Sequence, residues 1–441
     1  MGSRRAIGLR GLVAALFAAA TGCTDASPPN VLLVTLDTTR ADHLGAYGHR
    51  RDTSPNFDAF AADGTLYTRA RSTSSWTLPS HASLFTGKLP SSHGARYDPE
   101  GPLLLGSAIE EAGGIRASGL SDEEHTLADR LREVGYTTAG FVAGPWLLET
   151  FGLSRGFDHW DDAGILDVNG RPGEDLADAV LAWLDGWRSA EPRRPFFVFV
   201  NFFDAHWPYE PPTEYAKAFL PPGATIRPNV RSQFDALYDA EIRYADHHLG
   251  RLLDFLREHD LYDDALIVIT ADHGEMLGEH DEWGHNTLLY EPLVRVPLAV
   301  KPPGRPEPRV DDTPTQHTDV YDWILAAAGA GEPEPPRPRI AEVWQRRKPG
   351  IGEWKVLWED DLKYMEHGEG EHRLYDLAND RRERVNRAAD RPEDLRRLQE
   401  QLAAALETLP APLPSAGPAT IDDATREALE RLGYLDGATK D

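Results

Sequence analysis

The pattern of apolar positions along the chain alternates between unbroken runs and runs with helical spacing. Residues 30–36 and 196–203 and Leu266–Thr270 are continuous β-branched, aliphatic or aromatic runs, which predict fully buried strands. Residues 127–134 and 236–259 repeat apolar side chains every three to four positions, which predicts helices. Thr137–Val142 is a further predicted strand, and a helix is predicted around Leu176 to Trp187. Strands alternating with helices predict an α/β fold with a mostly parallel sheet flanked by helices.

Polar residues follow these predicted strands where each strand ends. Asp37 comes directly after the first, His206 after the second, and Asp272 and His273 after the third, with His285 twelve residues beyond His273. The carboxyl ends of parallel strands share one edge of a sheet, where ligands bind, so we expect these side chains to converge. Asp37 taken alone is more typical of a turn or helix cap than of a catalytic group.

The stretch 76–87, WTLPSHASLFTG, places a hydroxyl at the start of a short apolar run that ends in Thr-Gly. This layout is typical of a loop leading into a helix N-terminus, where backbone N–H groups favour an anion. Thr77 is therefore a candidate nucleophile beside the strand ends. Asp246, His247 and His248 also have the types of metal ligands, but their helix predicts a solvated polar face for them.

Proline-rich segments divide the rest of the chain. Residues 99–124 are rich in glycine and acidic residues and predict a surface insertion. A stiff linker at 333–338 predicts a boundary between a catalytic domain at 30–332 and a small α+β unit at 333–409. A second proline-rich link and a short terminal helix are predicted within 410–441.

The N-terminus and the composition bear on location and partners. The net charge is 46 − 72 = −26, which excludes nucleic acid as a partner. Three arginines precede an apolar run at 11–20 that is too short to span a bilayer, so residues 1–22 predict a signal peptide. The only cysteine, Cys23, follows in a context that resembles a bacterial lipobox. We expect an exported protein of the bacterial cell envelope, anchored to a membrane by a lipid on Cys23 with residues 23–29 as a tether; ordinary cleavage and a twin-arginine signal are alternatives.

Four segments in order, 30–48, 76–87, 196–212 and 271–303, resemble the sulfatases of the alkaline phosphatase superfamily. The resemblance implies that family's mostly parallel α/β fold with a smaller C-terminal α+β subdomain. It also implies a divalent metal held by Asp37, Asp272 and His273, with the hydroxyl of Thr77 beside it as nucleophile. His206 and His285 match histidines that contact the anionic group of the substrate or its leaving oxygen.

The chain departs from the sulfatase pattern at the site. Sulfatases have a cysteine or serine where this chain has Thr77, and they convert it to formylglycine. Oxidation of a secondary hydroxyl gives a ketone, so no formylglycine is expected here. His81 stands where arginine is usual and Thr38 where a second aspartate is usual. The usual Lys and His fall near Ala143 and Pro145.

These departures set the expected function. A threonine phosphate can be hydrolysed by a second in-line attack at phosphorus. Thr77 cannot become formylglycine, so it cannot release sulfate by the route that sulfatases use. We therefore expect an ester hydrolase that favours phosphate or phosphonate esters of small-molecule, glycan or lipid substrates, with His285 or His81 protonating the leaving oxygen. Mixed carboxylate and imidazole ligands favour zinc, with calcium as the alternative. A genuine sulfuric ester hydrolase, a phosphoethanolamine-type transferase and a non-catalytic binder of sulfated glycans remain alternatives.

Overall fold

A computed structural model describes residues 28–98, 103–104, 115–165, 170–190, 193–332, 337–344 and 352–414. The predictions for the signal peptide, for Cys23 and for the helix within 410–441 lie outside these residues. So does most of the predicted linker at 333–338.

The long strands of the central sheet lie where the unbroken apolar runs predict them. The segments between them contain additional short strands. In chain order they are β1 (Val31–Leu36), β2 (Thr65–Tyr67), β3 (Ala70–Arg71), β4 (Arg96–Tyr97), β5 (Leu103–Leu104), β6 (Ile115–Ser118), β7 (Thr137–Val142), β8 (His159–Asp161), β9 (Phe196–Phe202), β10 (Leu266–Thr270), β11 (Met276–Leu277), β12 (Trp283–Gly284), β13 (Leu298–Lys301), β14 (Arg309–Asp311), β15 (Thr315–Gln316), β16 (Arg339–Trp344), β17 (Glu353–Glu359), β18 (Leu362–His367) and β19 (His372–Asp376).

The helices are α1 (Pro55–Ala61), α2 (Thr77–Thr86), α3 (Pro90–His93), α4 (Leu127–Glu133), α5 (Gly173–Arg188), α6 (Thr213–Phe219), α7 (Phe234–Glu258), α8 (Glu291–Val294), α9 (His317–Ala327) and α10 (Pro392–Glu407). The predicted long helix therefore begins two residues earlier and ends one residue earlier than its apolar spacing indicates. No helix among the described residues combines the length and the apolar character that crossing a bilayer requires.

The central sheet has eight strands in the order β14-β2-β13-β10-β1-β9-β7-β8. The five strands from β10 to β8 run parallel, while β13 runs antiparallel to both of its neighbours. β1 is central, and all six of its residues are buried. This explains its unbroken apolar run, because helices cover both faces of such a sheet.

Alternate residues of β1 face two separate cores. Leu32 and Val34 belong to the core that includes residues of α5 and α7, whereas Val31 and Leu33 belong to the core that includes residues of α2, α4 and α9. The sheet is thus the middle layer of three, and the ends of β1, β9 and β10 meet at one edge. The predicted α/β class with a mostly parallel sheet is confirmed.

The polar face predicted for the middle of α7 is wrong for two of its three residues. His247 is exposed, but Asp246 and His248 are buried. The carboxylate of Asp246 accepts hydrogen bonds from the backbone N–H groups of Asn56 and Phe57 at 3.0 and 2.8 Å. Asp246 therefore holds the start of α1 against α7, and this tertiary contact was not visible in the helical spacing.

The predicted surface insertion also differs from the structure in its described part. Ile115–Ser118 forms β6, and Ala117 and Leu120 are buried in the core beside α4. The C-terminal part is an antiparallel sheet of β16 to β19 with α10 packed on it through Leu398 and Leu402. The smaller α+β unit is therefore present, and the exact domain boundaries remain predictions.

Candidate active site

Asp37, Asp272 and His273 meet at the carboxyl edge of the sheet. Asp37 follows β1 directly and its backbone N–H donates to Phe202 of β9 at 2.8 Å. Asp272 and His273 follow β10, which pairs with β1 in parallel register. One ligand atom from each of the three side chains lies within 4.8 Å of the others, and all three residues are buried. The predicted convergence of these strand ends is confirmed.

Each of the two carboxylates, Asp37 and Asp272, has one oxygen that makes no hydrogen bond within the described residues. Oδ1 of Asp272 accepts the backbone N–H groups of Thr38 at 3.1 Å and of His273 at 2.8 Å. Oδ2 of Asp272 and Oδ1 of Asp37 are buried without any hydrogen-bond partner within the described residues. Burial raises the pKa of Asp37, and the neighbouring charge of Asp272 raises it further. Two buried carboxyl groups with orphaned oxygens fit a cation between them.

His273 directs the lone pair of its Nε2 toward the carboxylate of Asp272. Its Nδ1 lies 2.9 Å from the carbonyl oxygen of Gly274, which can only accept, so the proton is on Nδ1. Nε2 is then unprotonated in the neutral ring and lies 3.3 Å from Oδ2 of Asp272. A backbone carbonyl that fixes the tautomer in this way is a common support of a metal-binding histidine.

Thr77 begins α2 and faces this cluster. Its Oγ1 lies 3.2 Å from Nε2 of His273, and the residue is buried. Pro79 falls in the first helical turn, where its missing N–H has no helical partner to lose. The hydroxyl therefore lies at the N-terminus of a helix, as the sequence predicts, and within reach of the atoms that would hold a metal.

His81 lies one helical turn behind Thr77 and is also fully buried. Its Nδ1–H donates to the carbonyl of Thr77 at 2.9 Å, and its Nε2 accepts from the hydroxyl of Thr35 at 3.0 Å. The side chain of Asn201 donates to the same Thr35 oxygen at 3.1 Å. With both nitrogens engaged in the core, His81 positions the backbone of Thr77, and the geometry disfavours its predicted role as a proton donor.

His285 is the better placed of the two candidate acids. Its Nδ1 lies 3.0 Å from Oε1 of Glu275, and its ring centroid lies 4.6 Å from that of His273. Glu275 is fully buried, and burial raises the pKa of its carboxyl to about 7. A histidine held by a buried carboxylate has its tautomer and orientation set by that contact.

His206 completes the group of histidines, with its ring centroid 5.0 Å from that of His285. Its Nδ1–H donates to the carbonyl of Trp207 at 2.6 Å. Burial lowers the pKa of His206 to about 3, with the nearby His285 acting in the same direction. A neutral ring in this tautomer offers a lone pair at Nε2, so the contact of His206 with the anionic group of the substrate remains a prediction without support from its hydrogen bonds.

Sequence reasoning missed three contributors to the site. Asn201 is a polar residue near the end of the otherwise apolar strand β9, and this break in the apolar run was a usable signal. Glu275 and Thr35 gave no signal, since their roles depend on contacts with His285 and His81 across the fold. Thr38 adopts φ of +53°, and this strained conformation directs its N–H to Asp272.

Positive side chains are scarce around the carboxylates. Within the described ranges, Asp272 lies close to His81 and His273, and no Lys or Arg pairs with Asp37 or Asp272. Ala143 and Pro145, where the family pattern has Lys and His, are buried after β7. The local negative charge is therefore left for a bound cation.

A family model described as Sulfatase matches residues 29–330. The ulvan-active sulfatase of Formosa agariphila is 26% identical over 310 residues, which cover 63% of this chain and 56% of the relative. The N-acetylgalactosamine-6-sulfatase of Canis lupus familiaris is 26% identical over 368 residues, or 73% of this chain and 66% of the relative. The chain thus spans between about half and two thirds of the length of these curated relatives.

Among solved structures, the phosphonate monoester hydrolase of Agrobacterium radiobacter matches with a TM-score of 0.68 and 22% identity. The match covers 86% of this chain and 95% of that one. At this level of identity the likeness concerns the fold.

Proposed function

The chain belongs to the sulfatase family, and we propose that it is a metal-dependent ester hydrolase that uses Thr77 as its nucleophile and prefers phosphodiesters and phosphonate monoesters. The observation that carries the proposal is the position of the Thr77 hydroxyl, 3.2 Å from Nε2 of His273 in the cluster with Asp37 and Asp272. A purely binding protein has no need of a hydroxyl at that point.

Asp37, Asp272 and His273 would hold the metal, because their orphaned oxygens and unprotonated nitrogen face one another. When bound, a divalent cation there would lower the pKa of the Thr77 hydroxyl and neutralise the transferring group. The imidazole ligand favours zinc, since calcium prefers oxygen ligands.

Two in-line displacements at phosphorus account for turnover. In the first, the hydroxyl proton of Thr77 passes to solvent, Oγ1 bonds to phosphorus as the bond to the leaving oxygen breaks, and His285 gives that oxygen a proton. In the second, water attacks the phosphothreonine and gives a proton to the now neutral His285, the bond from phosphorus to Oγ1 breaks, and Oγ1 takes up a proton from solvent, which restores both residues. Glu275 holds the His285 ring through its Nδ1 contact, and His81 holds the backbone of Thr77.

The preference for phosphorus follows from the nucleophile. A formylglycine hydrate expels sulfate by collapsing to the aldehyde, and Thr77 has no such route. Its covalent adduct leaves only by a second substitution, which is established chemistry for phosphoryl groups.

The preference for esters with a single negative charge follows from the local charge. A phosphate monoester carries close to two negative charges near neutral pH. No Lys or Arg pairs with the cluster carboxylates in the described part of the chain, so a second substrate charge would be offset only by the metal and the proposed acid His285. Phosphodiesters and phosphonate monoesters avoid this cost.

Sulfuric ester hydrolysis is the second candidate. It is supported by the names of the curated relatives, both of which are sulfatases. A sulfate monoester also carries a single charge, so only the chemistry at Thr77 separates the two candidates.

The test compares p-nitrophenyl sulfate, phosphate, a phosphodiester and a phosphonate monoester as substrates of the zinc-loaded and calcium-loaded protein. We expect the phosphodiester and phosphonate to have the highest kcat/KM. Thr77→Ala should lower kcat by at least about 10³-fold, while Thr77→Ser should keep measurable turnover. Sulfate turnover above that of the phosphodiester would overturn the substrate preference, and full turnover by Thr77→Ala would overturn the nucleophile.

A further inference from the structure

We propose that His43, His49 and Asp239 form a second metal site, separate from the catalytic cluster and selective for a zinc-like divalent ion. His43 ends a single helical turn, Ala41–His43, in the loop after β1, and His49 follows six residues later. Asp239 lies on α7 and its side chain has no solvent exposure. The loop and the helix thus supply two imidazoles and one carboxylate to the same point.

The donor atoms are already close to the spacing that a metal needs. Nδ1 of His43 lies 2.7 Å from Oδ1 of Asp239, and Nε2 of His49 lies 3.1 Å from Oδ2. One ligand atom from each of the three residues lies within 4.8 Å of the others. Ligand atoms of a tetrahedral zinc site are about 3.3 Å apart when each bond is about 2.0 Å. Changes of at most about 1.5 Å in these separations would therefore convert the hydrogen-bonded group into a coordination site.

The ligand set is typical of zinc. Two histidines and one carboxylate form a common three-ligand zinc site that leaves a fourth position open. The two imidazole rings lie nearly parallel, with centroids 5.0 Å apart and an interplanar angle of 25°, so both present nitrogens to the carboxylate side by side. This arrangement differs from a salt bridge, for which one histidine would suffice.

Arg51 connects the three residues to the solvent-exposed surface. Its Nη1 donates to Oδ2 of Asp239 at 2.7 Å, and its side chain is 42% exposed. Arg51 also lines a surface cavity of about 540 Å³ together with Asp52, Tyr215 and Arg243. An ion would enter from this cavity, and the exposed guanidinium would move aside as the positive charge of the metal replaced its own.

The proposed site is connected to the catalytic loop. The His43 ring packs edge-on against Tyr238, with centroids 5.0 Å apart. The Tyr238 hydroxyl donates to the carbonyl of Thr38 at 2.7 Å and accepts the N–H of Arg40 at 2.9 Å. A metal here would hold the segment that follows Asp37 against α7.

Metal stoichiometry tests the proposal independently of activity. The purified protein is stripped with a chelator, titrated with Zn²⁺, freed of excess ion and analysed for bound zinc by mass spectrometry. We expect two equivalents in the wild type, one in His49→Ala or His49→Gln, and one in Asp272→Asn/His273→Ala. His247→Ala, which removes an exposed histidine from the same helix, should keep both equivalents.

Cobalt provides the second readout. Co²⁺ added to the Asp272→Asn/His273→Ala protein should give the visible absorption of a four-coordinate site, and His49→Ala in that background should abolish it. A group held only by hydrogen bonds would give no such absorption. A wild type that binds one equivalent which His49→Ala leaves unchanged would overturn the second site. One equivalent that is lost in His49→Ala but kept in Asp272→Asn/His273→Ala would support it and contradict the catalytic metal site instead.

Discussion

Oε1 of Glu275 lies 3.0 Å from Nδ1 of His285, and the hairpin of β11 and β12 brings the two residues together. Met276 pairs with Gly284 in that hairpin, so the residues just outside the pair, Glu275 and His285, lie opposite each other. The contact sets the orientation of the ring that we propose as the general acid. Its effect on catalysis should therefore depend on how much the leaving group needs a proton.

Glu275→Gln should lower kcat by about 10- to 100-fold for esters of weakly acidic alcohols and much less for p-nitrophenyl esters, because p-nitrophenolate leaves without protonation. His285→Ala should show the same ranking with larger losses. The measurement is kcat against leaving-group pKa for a series of aryl and alkyl phosphodiesters. Asp281→Asn, an exposed change in the same loop, should have no effect, and equal losses for all leaving groups would mean that Glu275 is only structural.

The sequence predicted that Asp37, Asp272 and His273 converge, because each follows an unbroken apolar run and parallel strands end at one edge of a sheet. Their role as metal ligands was implied by the resemblance to the sulfatases. It could not predict Glu275, whose role depends on the register of a two-residue hairpin. Asp239 is similarly hidden, since it meets His43 across 196 positions of the chain. Periodicity reports which face of an element is apolar, and buried polar contacts between elements leave no such pattern.

Because Asp37 and Asp272 each have a buried oxygen without a partner, the substitution Asp37→Asn should change the free energy of unfolding in opposite directions with and without a bound metal. In chelator, Asp37→Asn should be more stable than the wild type by about 1 to 3 kcal/mol at pH 7, because it removes one of two buried like charges. The folded pKa of Asp37 is raised, so the wild type loses stability as pH rises above the ordinary value of 3.8.

Saturating zinc should reverse the order, because the wild type gains binding energy at the catalytic site that the variant lacks. The site at His43 and His49 would stabilise both proteins by the same amount. Thermal unfolding of the two proteins in chelator and in zinc measures the effect. Identical midpoints under both conditions would contradict the proposed cation between Asp37 and Asp272.

The hydrogen-bond chain from Asn201 through Thr35 to His81 predicts a cost for removing its middle hydroxyl. Thr35→Val keeps the shape of the side chain but leaves Nε2 of His81 without its partner and removes one of the two acceptors of the Asn201 side-chain amide. We expect a loss of about 1 to 3 kcal/mol in the free energy of unfolding and a lower kcat, because His81 would no longer be fixed against Thr77. Thr35→Ser retains the hydroxyl and should retain kcat, as urea unfolding and steady-state assays would establish. Equal kcat in the two variants would contradict the positioning role.

His93 predicts an acid-sensitive fold through a group remote from the catalytic chemistry. It is buried at the end of α3, where its Nδ1 accepts the N–H of Ala95 at 3.1 Å and its Nε2–H donates to Ser83 at 3.1 Å. Burial lowers its pKa from 6.5 to about 3, so the folded protein holds this ring neutral. The unfolded chain binds the proton more tightly, so stability is complete above pH 6.5 and falls as pH drops toward 3.

The expected slope for one such histidine is about 1.4 kcal/mol per pH unit, or roughly 2 kcal/mol lost at pH 5. His93→Gln carries no titrating group, so its free energy of unfolding should be lower at pH 8 but should fall less steeply between pH 6.5 and 5. His125→Gln, which replaces an exposed ring, should follow the wild type at every pH. Urea unfolding across this range measures the slopes, and parallel curves for His93→Gln and the wild type would show that His93 titrates normally in the folded protein.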